Sequence, residues 1–102
     1  MNREELIKFM EEHHFELWAT MKNGEDVAYQ FVSSDYVNIG KKINCTVDLK
    51  DNTFEFRYAV PYTVFTLNSG KHSPITNEKH FYKTYRRFMR QVRILAEENN
   101  IW

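Results

Sequence analysis

Apolar positions along the chain change their spacing several times, and each change marks a new element. Leu6, Ile7 and Met10 recur at helical intervals, leaving Glu4, Glu5, Lys8, Glu11 and Glu12 for the wet side. Asn2 stands where an N-cap belongs and Glu5 follows three residues later, so the pair can close a capping box. The spacing predicts a helix from about Arg3 to His13 or His14, whose imidazoles suit the negative helix end.

From Phe15 the period drops to two. Phe15, Leu17, Ala19 and Met21 alternate with Glu16, Trp18, Thr20 and Lys22, the signature of a half-buried strand. Asn23-Gly24 closes a hairpin, and the returning strand puts Val27, Tyr29 and Phe31 on one face. An odd loop over 23–25 with a glycine bulge pairs Met21 with Val27, Ala19 with Tyr29 and Leu17 with Phe31. A two-residue loop would slip the register by one and scramble the apolar face.

Ser33-Ser34-Asp35 turns the chain again, and a third strand carries Ile43, Cys45, Val47 and Leu49 against Asn44, Thr46, Asp48 and Lys50. Residues 36–40 extend it, with Gly40 as a bulge. A two-residue turn at Asp51-Asn52 leads to a fourth strand in which Phe54, Phe56, Tyr58 and Val60 face Leu49, Val47, Cys45 and Ile43. Pro61 lacks the N–H a ladder needs, so 61–67 reads as a sheet edge, and 68–76 has loop composition. From Asn77 to about Glu98, Phe81, Tyr85, Phe88, Val92 and Leu95 form a strong amphipathic stripe. The expected fold is one α+β domain over residues 1–102. It is a two-layer sandwich in the order α-β-β-β-β-α, with a four-stranded antiparallel sheet and both helices on one face.

Composition narrows the function classes. The chain has 102 residues, 42% hydrophobic and 27% charged, which suits a single ordered domain and excludes a disordered or fibrous chain. Fourteen basic side chains balance fourteen acidic ones, so there is no bulk pull towards nucleic acid or anionic membranes. The charges are unevenly placed. Residues 1–50 carry six basic and nine acidic groups and residues 51–102 eight and five, a dipole of −3 and +3. One cysteine, Cys45, and a polar start without a signal-peptide pattern point to a reducing cytoplasmic setting. The abundance of Phe, Tyr, Asn, Ile and Lys matches AT-rich coding, as in a low-GC bacterium or its phages.

Catalytic chemistry finds no footing. His13 and His14 with His72 and His80 lack the converging spacing of a zinc site, and strand parity places Cys45 among Ile43, Phe56 and Tyr58, where a thiol is inert. Ser69-Gly70-Lys71-His72 misses the phosphate-loop pattern, which needs a glycine where Phe65 stands and a hydroxyl where His72 stands. No enzyme, cofactor or metal is therefore expected. In layout alone the chain resembles double-stranded-RNA-binding domains, departing from them in its four strand candidates and in lacking their Gly and paired-Lys loop.

The surplus lies on surfaces. Lys79, Lys83, Arg86, Arg87, Arg90 and Arg93, with Lys71 upstream, form a basic stripe nearly opposite the aromatic one. Trp18, on the polar sheet face, offers a second contact point. The pattern points to a small non-enzymatic cytoplasmic binding protein that meets an acidic protein partner through this helix face. An accessory or inhibitory protein of a phage or mobile element would have this size and residue bias. The alternative is DNA or RNA on the same face, while a solvated stripe balanced by the acidic first helix is the bland account. A homodimer is compatible with either binding reading.

Overall fold

Residues 1–33 and 42–99 are described by the computed structural model. The sequence readings at Ser34-Asp35 and over 36–40 lie outside these residues. Helix α1 (Arg3–Glu12) starts as its sequence dictates: Asn2 Oδ1 accepts from Glu5 N at 2.8 Å and Glu5 Oε1 from Asn2 N at 3.2 Å. It ends at His13, after which His14 takes a left-handed φ of 65°. Among the described residues five strands follow: β1 (Phe15–Asn23), β2 (Asp26–Ser33), β3 (Asn44–Asp48), β4 (Thr53–Ala59) and β5 (Thr66–Asn68). Helix α2 (Glu78–Glu98) closes the described chain.

The architecture is α+β, with each strand antiparallel to the next in the spatial order β1-β2-β3-β4-β5. Four strands were expected; the fifth comes from the stretch read as an edge. Pro61 does keep the chain out of the ladder, but only until Val60 N donates to Phe65 O at 3.0 Å and β5 resumes pairing. The pairing then continues past a bulge at Ser69-Gly70, where Gly70 adopts φ 76°, to reciprocal bonds between Phe54 and His72 at 2.8 and 2.9 Å. Ser69-Gly70-Lys71 thus links β5 to a single bridge at His72, within the stretch read as loop.

The first hairpin corrects the expected register. Its loop is the two-residue turn 24–25, with Asn23 opposite Asp26 and Gly24 at φ 66°, the position a type II′ turn reserves for glycine. Such a turn alone would misalign the strand starts. The odd residue is instead Trp18, which lies between the pairs Leu17↔Phe31 and Ala19↔Gln30 as a β-bulge. Past the bulge the faces exchange, so Ala19 and Met21 pair with Gln30 and Ala28, and Thr20 with Tyr29. The pairs Met21–Val27 and Ala19–Tyr29 are not formed. Residues 20–26 are exposed, so this end of the hairpin tolerates the exchange.

The third hairpin corrects a second register. Cys45 faces Phe56 and Val47 faces Phe54, two residues from the expected pairing, because the loop spans 49–52 rather than two residues. Asp48 Oδ1 accepts from Asp51 N at 3.1 Å and Asn52 takes φ 58°, an Asx-type turn that the sequence supports equally well. A shift of two preserves parity, so the buried face is unchanged.

One core joins the layers. Leu6 and Met10 of α1, Phe15, Phe31, Cys45, Val47, Phe54, Phe56 and Tyr58 of the sheet, and Phe81, Phe88 and Val92 of α2 are all buried in it. The helices also meet each other through Phe9 and Phe81, edge to face at 5.3 Å. Ile75 is buried too, its N–H donating to Asn52 Oδ1 at 3.2 Å, which ties the connection before α2 to the third hairpin. No described helix is long and apolar enough to cross a membrane.

Candidate functional site

The second helix is positioned from both ends. Asn77 Oδ1 accepts from His80 N at 3.0 Å, and at the other end Asn99 Nδ2 donates to Leu95 O at 2.8 Å. Phe81, Thr84, Phe88, Val92 and Ala96 are buried, and the Thr84 hydroxyl is satisfied by His80 O at 2.8 Å. That packing fixes the rotation of the helix, and Lys79, Lys83, Arg86, Arg87, Arg90 and Arg93 are all exposed as a result. Lys83, Arg86 or Arg87, and Arg90 follow at about one turn, roughly 5.4 Å along the axis.

Ion pairing leaves most of this charge unneutralised. Arg93 lies 3.6 Å from Glu97 of its own helix. Among the described residues, Lys79, Lys83, Arg86, Arg87 and Arg90 make no ion pair. The acidic groups of α1 do not cancel the stripe by contact: Glu12 shares a recess with Arg86 without pairing to it. Besides its ring contacts with Phe81 and Tyr82, His13 approaches Glu78 of the second helix, Nε2 to Oε1 at 3.3 Å. That distance permits an ion pair when the imidazole is protonated, but Nε2 is buried and makes no hydrogen bond.

Shallow recesses flank the cations. One of about 260 Å³ runs along the helix between Tyr82, Lys83, Arg86, Arg87 and Arg90. A second, about 340 Å³, opens between the helices, walled by Glu12, His13, His14, Tyr82, Tyr85 and Arg86. On the other flank Asn68, Ser69, His72, Arg87 and Gln91 border about 230 Å³. Arg86 and Arg87 therefore serve opposite flanks. The Arg86 guanidinium lies over the Tyr82 ring, 5.7 Å from its centroid.

Tyr82 was not among the residues singled out from sequence, and His13 and His14 were read as helix-end imidazoles rather than as part of this face. Tyr82 was legible, since it follows core Phe81 and must turn outward. The approach of His13 and His14 to α2 depends on how the helices cross, which no local pattern states. Lys71 is exposed in the bulged segment beside His72 and borders none of these three recesses. Trp18 is 59% exposed on edge strand β1 and belongs to none of them either.

Among the described residues no three His, Cys, Asp or Glu side chains gather as metal ligands would. His72 and His80 do approach, ring to ring at 5.8 Å, but as neighbours of Phe54. Cys45 is fully buried, and loss of hydration pushes its thiol well above the usual range. Comparison with known protein families, with curated proteins and with solved structures gives no match.

Proposed function

We propose that this chain is a small non-enzymatic binding protein whose helix α2 engages an acidic surface of a protein partner. The observation that carries the reading is the set of exposed cations Lys83, Arg86, Arg87 and Arg90, without ion pairs among the described residues and bordered by recesses on both flanks. A protein partner is favoured over nucleic acid by what accompanies the charge. Tyr82 and Ile94 are 51% and 55% exposed on the same helix, and Arg with Tyr is the mixture that protein interfaces favour. The chain as a whole carries no net charge, so long-range attraction to polyanions is weak. A reducing cytoplasm suits its lone Cys45, and an accessory or inhibitory role for a phage or mobile element suits its size.

The test is fluorescence anisotropy with labelled Glu/Asp-rich peptides, and with labelled single- and double-stranded DNA and RNA, at two salt concentrations. The expected result is peptide binding that the double variant Arg86→Glu/Arg90→Glu weakens at least tenfold. Nucleic-acid binding with a log-log salt slope of roughly −4 to −5, as for about five neutralised phosphates, replaces the proposal with its alternative. Binding to neither probe means that the stripe is solvated surface.

A further inference from the structure

The turn between β4 and β5 exposes more apolar surface than its neighbours. Tyr62, Val64 and Phe65 are 102%, 95% and 64% exposed, in a chain whose other aromatics mostly fill the core. These side chains are held out by a braced backbone. Thr63 Oγ1 donates to Val60 O at 2.9 Å and accepts from Phe65 N at 3.1 Å, while Thr63 N donates to Val60 O at 3.3 Å. Tyr62 sits at φ 62°, a left-handed conformation that a bulky side chain rarely adopts. Strain of this kind persists where the surrounding structure imposes it, often at contact sites.

Beside this tip lies a complementary hollow. Val32, Asn44, Ala59 and Pro61, with Lys42 and Tyr62 at its margin, border a recess of about 460 Å³. Projection and recess share Pro61 and Tyr62, so they form one patch that carries both halves of a contact. A patch of that kind can serve both sides of a two-fold interface, in which each copy gives a tip and receives one.

We infer that this patch is the interface of a homodimer, the tip of Tyr62, Val64 and Phe65 of each copy seated in the Val32, Ala59 and Pro61 recess of the other. Area supports that occupant. With aromatic side chains contributing about 200 Å² each, the three tip residues offer roughly 500 Å² per copy, hence about 1,000 Å² for two. The recess walls bring the contact towards the roughly 1,200–2,000 Å² of stable interfaces. Zero net charge removes long-range repulsion between copies. The braced turn means that little ordering entropy is lost on docking.

Sedimentation equilibrium from micromolar to millimolar concentration reads the state of the protein. The mass is expected to rise from 12.4 kDa towards twice that value. A tip variant, Val64→Glu, and a recess variant, Ala59→Glu, each weaken dimerisation at least tenfold with unchanged thermal melts. Mixing the two variants restores part of the association between unlike copies, since one of the two contacts, the intact recess of the first with the intact tip of the second, is formed again. A wild-type mass that stays at one chain throughout, a dimer indifferent to both variants, or a mixture without restoration overturns the inference. So does a monomer that co-sediments through its tip with phosphatidylcholine/phosphatidylglycerol vesicles, which assigns the tip to a lipid surface.

Discussion

Phe56 is the position where truncation should be felt most. Its side chain is wholly buried, and its ring lies 5.4 Å from Phe81 and Tyr85, 5.7 Å from Phe54, 5.8 Å from Phe88 and 6.0 Å from Phe15. Those neighbours stand on β1, β4 and α2, each held by its own backbone bonds, so the hole left by Phe56→Ala can collapse only partly. Core Phe→Ala changes cost about 3–5 kcal/mol, and the upper half of that range is expected where relaxation is restricted. Domains of this size have only about 5–15 kcal/mol in total. A loss of about 4 kcal/mol corresponds to roughly 15–30 °C in Tm, since each kcal/mol shifts it by about 4–8 °C. Urea unfolding followed by far-ultraviolet circular dichroism measures the change, and an unchanged m-value shows that the same two states are compared. Phe56→Leu, which keeps most of the apolar bulk, should cost only about 1–2 kcal/mol. A cost below about 1 kcal/mol for Phe56→Ala would refute the placement of this ring at the junction of sheet and helix.

Three further outcomes are expected. Asn2→Ala removes the oxygen that accepts from Glu5 N and should destabilise by about 0.5–2 kcal/mol in the same urea assay, whereas Asn2→Ser should recover most of it. Met21→Thr should change stability by no more than about 0.5 kcal/mol, because the side chain is 54% exposed beyond the bulge; a core-sized loss would restore the three-residue loop register. Burial raises both the Cys45 thiol and the Tyr58 phenol, so in the folded state each keeps its proton at pH values where the unfolded chain releases it. Stability should therefore be flat near neutrality and fall above the ordinary thiol value of about 8.5, by up to about 1.4 kcal/mol per pH unit for each group released. Cys45 should correspondingly resist a thiol reagent at pH 8 until denaturant is added, and prompt reaction in the native protein would contradict its burial.

The two registers show where local pattern stops informing. Between β1 and β2 the sequence contains one residue too many for a regular hairpin, and that surplus was legible. Its location was not, because a glycine bulge at the turn and a bulge at Trp18 satisfy Leu17 opposite Phe31 equally well. The two-residue turn with Gly24 at positive φ prevails, and the extra residue falls at Trp18, where the edge strand has an open side. Between β3 and β4, a two-residue and a four-residue loop leave the same side chains inside, so hydrophobic alternation could not choose between them. The fifth strand was hidden for another reason. Its three residues carry too short a pattern to signal a strand, and it forms because β4 presents a free edge to it.

The candidate face divides in the same way. Periodicity alone set Lys79, Lys83, Arg86, Arg87, Arg90 and Arg93 opposite Phe81, Phe88 and Val92, since helix geometry turns a linear spacing into an angle. The capping box at Asn2, the burial of Cys45 and the α+β class were determined likewise, each by interactions among near neighbours or by strand parity. Tertiary structure alone brought Glu12, His13 and His14 beside Arg86, laid His72 beside Arg87, and left Tyr62 beside a hollow shared with Val32. These meetings join residues far apart in the chain. They depend on how packed layers cross and on which loop length closes each hairpin, quantities set by the whole core and written in no single stretch of sequence.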